Sequence, residues 1–176
     1  MPNELPEGTR THRAEGDTRA PVRCAIVTVS DSRTVDTDAS GARMRDLLVS
    51  AGYAVTDYAL LRNDEAAVRA HVVALLGRAD VDAILLTGGT GLGSHDRTVE
   101  AVRPLFDKEL PGFGEIFRLL SFQEQVGTAA ILSRAVAGGA GGKFIASMPG
   151  STAAVELALT RVVIPELRHA LRELSR

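Results

Sequence analysis

Tryptophan is absent from this 176-residue chain, and cysteine occurs once, at Cys24. A single thiol leaves no partner for an internal disulfide and too few ligands for a cysteine zinc cluster, so a reducing compartment fits. Cys24 lies inside an apolar segment and is expected to be packed rather than reactive. A basic excess is lacking too. Twenty Lys and Arg stand against 22 Asp and Glu, a net charge of −2 with no basic run, which argues against nucleic acid as a partner. No apolar stretch approaches the roughly 18 residues of a membrane span, and residues 1–20 lack the apolar centre of a signal peptide, so the expected location is cytoplasmic, away from membranes. Residues 1–20 hold too little apolar side chain to offset ordering entropy and read as a disordered tail. Residues 21–176 read as one domain, of a size that buries roughly 70% of its extended surface.

What the chain does have is glycine in one telling place. Residues 84–98 begin as an apolar run, pass through Gly88, Gly89, Gly91 and Gly93, and end where Thr98 opens a helical pattern. Asp82 to Thr87 has the length and branched content of a buried strand, so the loop joins a strand's carboxyl end to a helix start. Glycines let backbone N–H groups approach a ligand closely, and the following helix adds unpaired N–H groups, so the loop predicts an anion site, a phosphate above all. It is not a Walker loop, which ends in Gly-Lys-Ser/Thr where this one has Ser94-His95-Asp96. The dinucleotide pattern fails as well, since the third glycine position is Ser94. A plain flexible turn is the competing reading, although each glycine costs about 0.5–1 kcal/mol of extra chain entropy.

Around that loop, strands and helices alternate. Val22 to Val29 reads as a buried strand, and Ser40 as the cap of a helix that places Met44, Leu47, Leu48 and Ala51 on one face before Gly52. Tyr53 to Leu61 reads as a second strand, followed by a helix from Asn63 or Asp64 with Val68, Val72, Leu75, Leu76 and Ala79 in register. Phe113 to Gln125 looks helical, Gly138 to Gly142 reads as a turn, Lys143 to Met148 as a strand, and Ser151 as the cap of a last helix running at least to Pro165. Alternation predicts an α/β fold of three layers, α/β/α, with a mostly parallel sheet and a ligand crevice at the carboxyl ends of its strands.

Four loops empty onto that edge. They supply Ser30, Asp31, Ser32 and Arg33; Arg62 and Asp64; the glycine loop with Asp96 and Arg97; and Pro149, Gly150 and Ser151. Asp64 and Asp96 are candidates to face one another and hold magnesium across a bound phosphate. Asp64 also fits an ordinary helix N-cap, as does Ser151, whose alternative role is to present N–H groups to a second anion. His95 reads as a solvated loop residue and His71 as a helix residue, which makes a histidine zinc site a poor reading.

Longer runs now become comparable. They are Ala25-Ile-Val-Thr-Val-Ser30, Asp38-Ala-Ser-Gly41, Leu86-Thr-Gly-Gly-Thr-Gly91, Phe113-Gly-Glu-Ile-Phe117, Leu132-Ser-Arg-Ala135 and Met148-Pro-Gly-Ser-Thr152. In these the chain resembles the family of molybdenum cofactor biosynthesis proteins that includes MoaB, MogA and the gephyrin G domain, and most closely its MoaB branch. The resemblance covers nearly everything beyond the tail. It implies a molybdopterin-binding fold that adenylylates the terminal phosphate of molybdopterin with ATP and Mg2+, giving adenylylated molybdopterin and pyrophosphate, with metal inserted afterwards by another protein.

By the same resemblance the two essential aspartates map onto Asp64 and Asp96, with magnesium assigned to both. Ser30, Asp31, Thr87, Gly88, Gly89, Thr90, Gly91, Ser133, Arg134, Pro149, Gly150 and Ser151 map onto substrate and nucleotide binding. The chain departs from the pattern at Asn63, where Pro is common, and at Arg97-Thr98-Val99, where Val-Thr-Pro is common. Because the proposed nucleophile is a phosphate already ionised at neutral pH, no base is required, and positioning and electrostatics carry the reaction; Arg33, Arg97 and Arg134 are equal candidates to screen charge. The competing reading is a non-catalytic molybdopterin-binding or scaffold member of the family. Phe106, Phe113, Phe117 and Phe122 hold four of the five phenylalanines within a short stretch, which a domain of this size has little room to bury. With the family's trimers and hexamers, this predicts a homo-oligomer.

Overall fold

The computed structural model describes residues 21–176. The tail expected over residues 1–20 lies outside them. Six strands form one sheet: β1 (Arg23–Val29), β2 (Ala54–Leu61), β3 (Ala83–Thr87), β4 (Lys108–Glu109), β5 (Val136–Ala140) and β6 (Lys143–Met148), in the order β2-β1-β3-β6-β5-β4. β1, β2, β3 and β6 run parallel, while β5 and β4 extend the sheet antiparallel.

Alternate residues of the central strands feed two apolar layers, as the two-residue period of a strand requires. Cys24, Ile26, Ala83 and Leu85 join a core with α1 (Ala39–Ser50), α4 (Pro111–Ser121) and the C-terminal helix, through Met44, Leu48, Phe117, Val155, Leu159 and Leu167. Ala25, Val27, Ile84 and Leu86 join the opposite core with α2 (Glu65–Leu76) and α3 (Thr98–Val102), through Val68, Val72, Leu75, Val99 and Val102. The expected α/β/α layering with a mostly parallel sheet is therefore what forms.

Three local expectations are corrected. The cap of α1 is Asp38, whose carboxylate accepts the Gly41 N–H, and Ser40 sits in the first turn. Gly138 and Gly139 belong to buried β5, and the turn is confined to Gly141 and Gly142, with φ of +53° and +76°. Packing decides this: a Cβ at Gly138 would lie 2.5 Å from the Phe106 ring, and one at Gly139 would collide with Leu174, so the strand is built from residues with no side chain to pack. The phenylalanine cluster, third, is mostly internal. Phe113 and Phe117 are buried and stack 6.3 Å apart, and Phe106 is half-buried against the other core. Of the four, only Phe122 is largely exposed, at 50%.

The final helix continues well past Pro165. It runs as α5 (Thr152–Ala158), a π-helical turn (Leu159–Val163) and α6 (Ile164–Leu174), with Pro165 in the first turn of α6, where its missing N–H is tolerated.

Candidate active site

The loops after β1, β2, β3 and β6 meet at one edge of the sheet and enclose a cavity of about 740 Å³. Its floor is the glycine loop, whose geometry is set by hydrogen bonds to its neighbours. Gly88 donates its N–H to the Met148 carbonyl at 3.0 Å, Thr87 Oγ1 donates to the Pro149 carbonyl at 3.0 Å, and Thr98 donates its N–H to the Gly89 carbonyl at 3.0 Å. Gly88 and Gly89 have φ of +96° and +65°, which explains glycine at these two positions. Among the described residues, the N–H groups of Gly89, Thr90 and Gly91 have no hydrogen-bond acceptor, and Gly89, Thr90 and Gly91 line the cavity. Unpaired N–H groups on a concave floor make an anion cradle.

Of the residues expected at the site, Ser30, Asp31, Gly88, Gly89, Thr90, Gly91, Asp96, Ser133, Pro149, Gly150 and Ser151 all line this cavity. Three do not. Thr87 is fully buried beneath the floor. Asp64 is exposed and caps α2, Oδ1 accepting the Ala67 N–H at 2.8 Å; its neighbour Asn63 lines the cavity instead. The carboxylate that shares the wall with Asp96 is thus Asp31, not Asp64 as spacing led one to expect. Asp31 accepts the backbone N–H of Asn63 at 3.0 Å and its Nδ2–H at 3.1 Å, and these bonds hold its carboxyl below the ordinary carboxylate range.

The third is Arg134, which is committed behind the loop. Its Nε donates to the Gly91 carbonyl at 2.8 Å and its Nη2 to the Asp96 carbonyl at 2.9 Å, while Glu100 pairs with the guanidinium and is itself held below its ordinary range by it. Arg134 therefore clasps both ends of the Gly91–Asp96 turn, and Asp96 closes it from inside, Oδ2 accepting the Gly93 N–H at 3.0 Å. This ranks the three arginines that sequence left equal: Arg33 lines the cavity, Arg134 supports it, and exposed Arg97 stands on the outer side of the loop.

Arg33 depends on a residue that sequence reasoning quoted only as part of a matching run. Asp38 is 3% exposed, yet charged. Its Oδ2 accepts from Thr28 Oγ1 at 2.5 Å and Tyr58 OH at 2.7 Å, and its Oδ1 from Ser40 Oγ at 2.9 Å, the Gly41 N–H at 3.0 Å and Arg33 Nη1 at 3.2 Å. Burial pushes its pKa up, but the hydrogen bonds outweigh this and leave the carboxyl below its ordinary value. Held so, Arg33 also donates Nη2 to the Gly150 carbonyl at 2.9 Å, which joins the loops after β1 and β6 across the cavity. Burial and the bond to Asp38 push the Tyr58 phenol up to about 12. Cys24 takes no part: burial pushes its thiol up to about 12, as expected of a packed residue.

The opposite wall is apolar and was not foreseen. Phe117, Val126, Ala129, Ala130, Leu132 and Ala154 form it, contributed by α4, the π-helical turn Phe122–Val126, the 3-10 segment Gly127–Leu132 and α5. A polar, N–H-rich floor beside an apolar wall suits a ligand that is anionic at one end and flat and apolar at the other.

The family model described as "Probable molybdopterin binding domain" matches residues 25–169. Molybdenum cofactor biosynthesis protein B of Halalkalibacterium halodurans is 58% identical over 163 residues, covering 93% of this chain and 95% of its own. A crystal structure of a molybdenum cofactor biosynthesis protein B is 47% identical, with a TM-score of 0.86 over 89% of this chain and 98% of its own. The crystal structure of the tungsten cofactor synthesizing protein MoaB from Pyrococcus furiosus is 32% identical, with a TM-score of 0.81 over 90% and 99%.

Proposed function

The chain belongs to the molybdopterin-binding family of molybdenum cofactor biosynthesis proteins, and from that premise we propose that it is a molybdopterin adenylyltransferase. The observation that carries the proposal is the cavity itself, with an anion cradle of free N–H groups on its floor, two carboxylates on one wall and an apolar surface opposite.

In the proposed reaction an oxygen of molybdopterin's terminal phosphate attacks the α-phosphorus of ATP. One P–O bond forms, the bond to the β-phosphate oxygen breaks, and pyrophosphate leaves. The nucleophile is already anionic, so the chain's task is to bring two polyanions together and align them. Gly89, Thr90 and Gly91 hold one phosphate through their N–H groups, Arg33 offsets charge at the far wall, and the apolar wall seats the pterin. Asp96 and Asp31 in the cavity lining, with Asp64 next in sequence to the lining residue Asn63, are hard oxygen donors; among the described residues no three such groups gather to hold a metal by themselves, so they would share Mg2+ with the substrate phosphates, and it would there neutralise charge on the departing pyrophosphate. The adenylylated product passes to a separate metal-insertion protein.

A non-catalytic molybdopterin binder is the second reading, favoured by one observation: Asp64 is engaged as a helix cap and lies outside the cavity lining. Incubating the protein with molybdopterin, ATP and Mg2+ and measuring adenylylated pterin separates the two. We expect turnover, and we expect Asp64→Asn and Asp96→Asn each to lower it by about a hundredfold while molybdopterin still binds. Asn caps a helix nearly as well as Asp, so full activity in both variants would reduce these acids to structural roles.

We also propose that a second copy covers the apolar surface of α4 and the segment after it. Ile116, Leu119, Phe122 and Ile131, none of which lines the cavity, are each at least 50% exposed there, and aromatic and aliphatic side chains gathered in this way mark association surfaces. The expected state is a trimer or a hexamer built from two. Light scattering should show it, and Ile116→Glu with Leu119→Lys should yield a folded monomer. A wild-type monomer at micromolar concentration would remove the idea.

A further inference from the structure

Behind the glycine loop two buried oxygens have no hydrogen-bond partner among the described residues, Asn63 Oδ1 and Thr98 Oγ1. Orphaned buried polar atoms are rare in folded proteins and call for a physical reason. These two converge on one point: a Cβ built on Gly89 would lie 2.5 Å from Asn63 Oδ1 and in collision with Thr98 Oγ1. The Gly89 backbone is therefore packed directly against both oxygens. The other end of the Asn63 amide is fully engaged, since Nδ2 and the backbone N–H both donate to Asp31. An amide has one donor end and one acceptor end. Asn63 uses the first on the cavity wall and turns the second to the cavity floor.

We propose that Asn63 is a positioning residue for ligand binding, an amide strut that sets the distance between the Asp31 carboxylate and the Gly89 N–H cradle. The proposal rests on the reading of this cavity as the molybdopterin and nucleotide site. It explains why the carbonyl oxygen is left without a donor: its use is as a spacer against a residue with no side chain. It also gives Asn63 a role that neither a shorter side chain nor a charged one of the same shape can fill. Alanine lacks the strut. Aspartate keeps the shape but sets a second carboxylate against Asp31, where like charges this close cannot both stay ionised without cost.

Variants that add no charge supply the test. Asn63→Ala removes the arm, and Asn63→Gln keeps an amide that can still donate to Asp31. Molybdopterin titrations at one pH should give an affinity about tenfold weaker than wild type for Asn63→Ala and within about threefold of wild type for Asn63→Gln. If the strut acts through Asp31, the losses from Asn63→Ala and Asp31→Ala should not add in the double variant, whereas independent structural defects add. Binding equal to wild type in Asn63→Ala, or losses that add fully in the double variant, overturns the proposal.

If the wild-type protein itself fails to bind molybdopterin, the proposed function fails, and the strut is decided separately by denaturant unfolding of Asn63→Ala, Asp31→Ala and the double variant. The two stability losses should fall short of adding, because each removes the same pair of hydrogen bonds, and full additivity overturns the strut.

Discussion

Gly89→Val is expected to abolish molybdopterin binding and to lower stability by about 2–5 kcal/mol. Two costs add. At φ +65° an L side chain is strained, by about 1–2 kcal/mol for most residues and more for a β-branched one. The new Cβ would then collide with Thr98 Oγ1 and Asn63 Oδ1, of α3 and the loop after β2, where Asn63 is held by its N–H groups to Asp31 and Thr98 by its backbone N–H to Gly89. The floor must lift, and the N–H groups leave the plane on which a phosphate is held. Gly52→Ala is the control: its φ is +77°, but nothing lies within 4 Å of the added Cβ. It should show the strain alone, about 1 kcal/mol, with binding intact. Melting curves and a molybdopterin titration on both variants check this, and unchanged affinity in Gly89→Val would place the site elsewhere.

Asp38→Ala should cost about 3–5 kcal/mol, because it removes one member of a buried charge cluster and leaves the rest unpaired. Thr28, Tyr58 and Ser40 lose their common acceptor, the first turn of α1 loses its cap, and Arg33 keeps its charge without the carboxylate that aims it. Ligand affinity should fall with stability, since Arg33 is what joins the cavity's two outer loops through Gly150. Denaturant unfolding measures the first and titration the second.

The pH dependence has a definite sign. The folded pKa of Asp38 lies below its unfolded value of about 3.9. Its contribution is therefore complete above about pH 4 to 5 and is lost as pH falls through the lower folded value. Asp38→Asn should accordingly be less stable than wild type at pH 7, with the gap narrowing in acid. A constant gap from pH 7 to pH 2 would mean that the carboxylate's charge is not what the cluster requires.

The parts of this protein legible in its sequence are those dictated by local pattern. Continuous apolar runs such as Ala83–Thr87 have no amphipathic alternative, and so read as central parallel strands. In a parallel sheet the loops after such strands must open on one edge, which is why eleven of the fourteen residues assigned to the site do line one cavity. Of the four glycines between β3 and α3, only Gly89 and Gly91 leave their N–H groups without an acceptor among the described residues, Gly88 and Gly93 using theirs on Met148 and Asp96, while long matching runs supplied the family.

Tertiary structure alone decided the rest. Gly138 and Gly139 looked like a turn because nothing in their own chemistry favours a strand; Phe106 and Leu174, far along the chain, occupy the space their side chains would need. Asp38 and Ser40 are both good caps by sequence, and only the hydroxyls of Thr28 and Tyr58 arriving from β1 and β2 select Asp38. The three arginines were equal in charge and loop position until Glu100 and two carbonyls claimed Arg134. Asp64 carries the spacing of a site residue, yet the local bond to Ala67 turns it to its helix, while Asn63 and Asp31 meet on the wall across 32 positions of sequence. Periodicity and motif depend on neighbours in the chain, and so sequence determines them; which of several chemically equivalent groups faces a cavity depends on partners brought in by folding, and no spacing rule contains those.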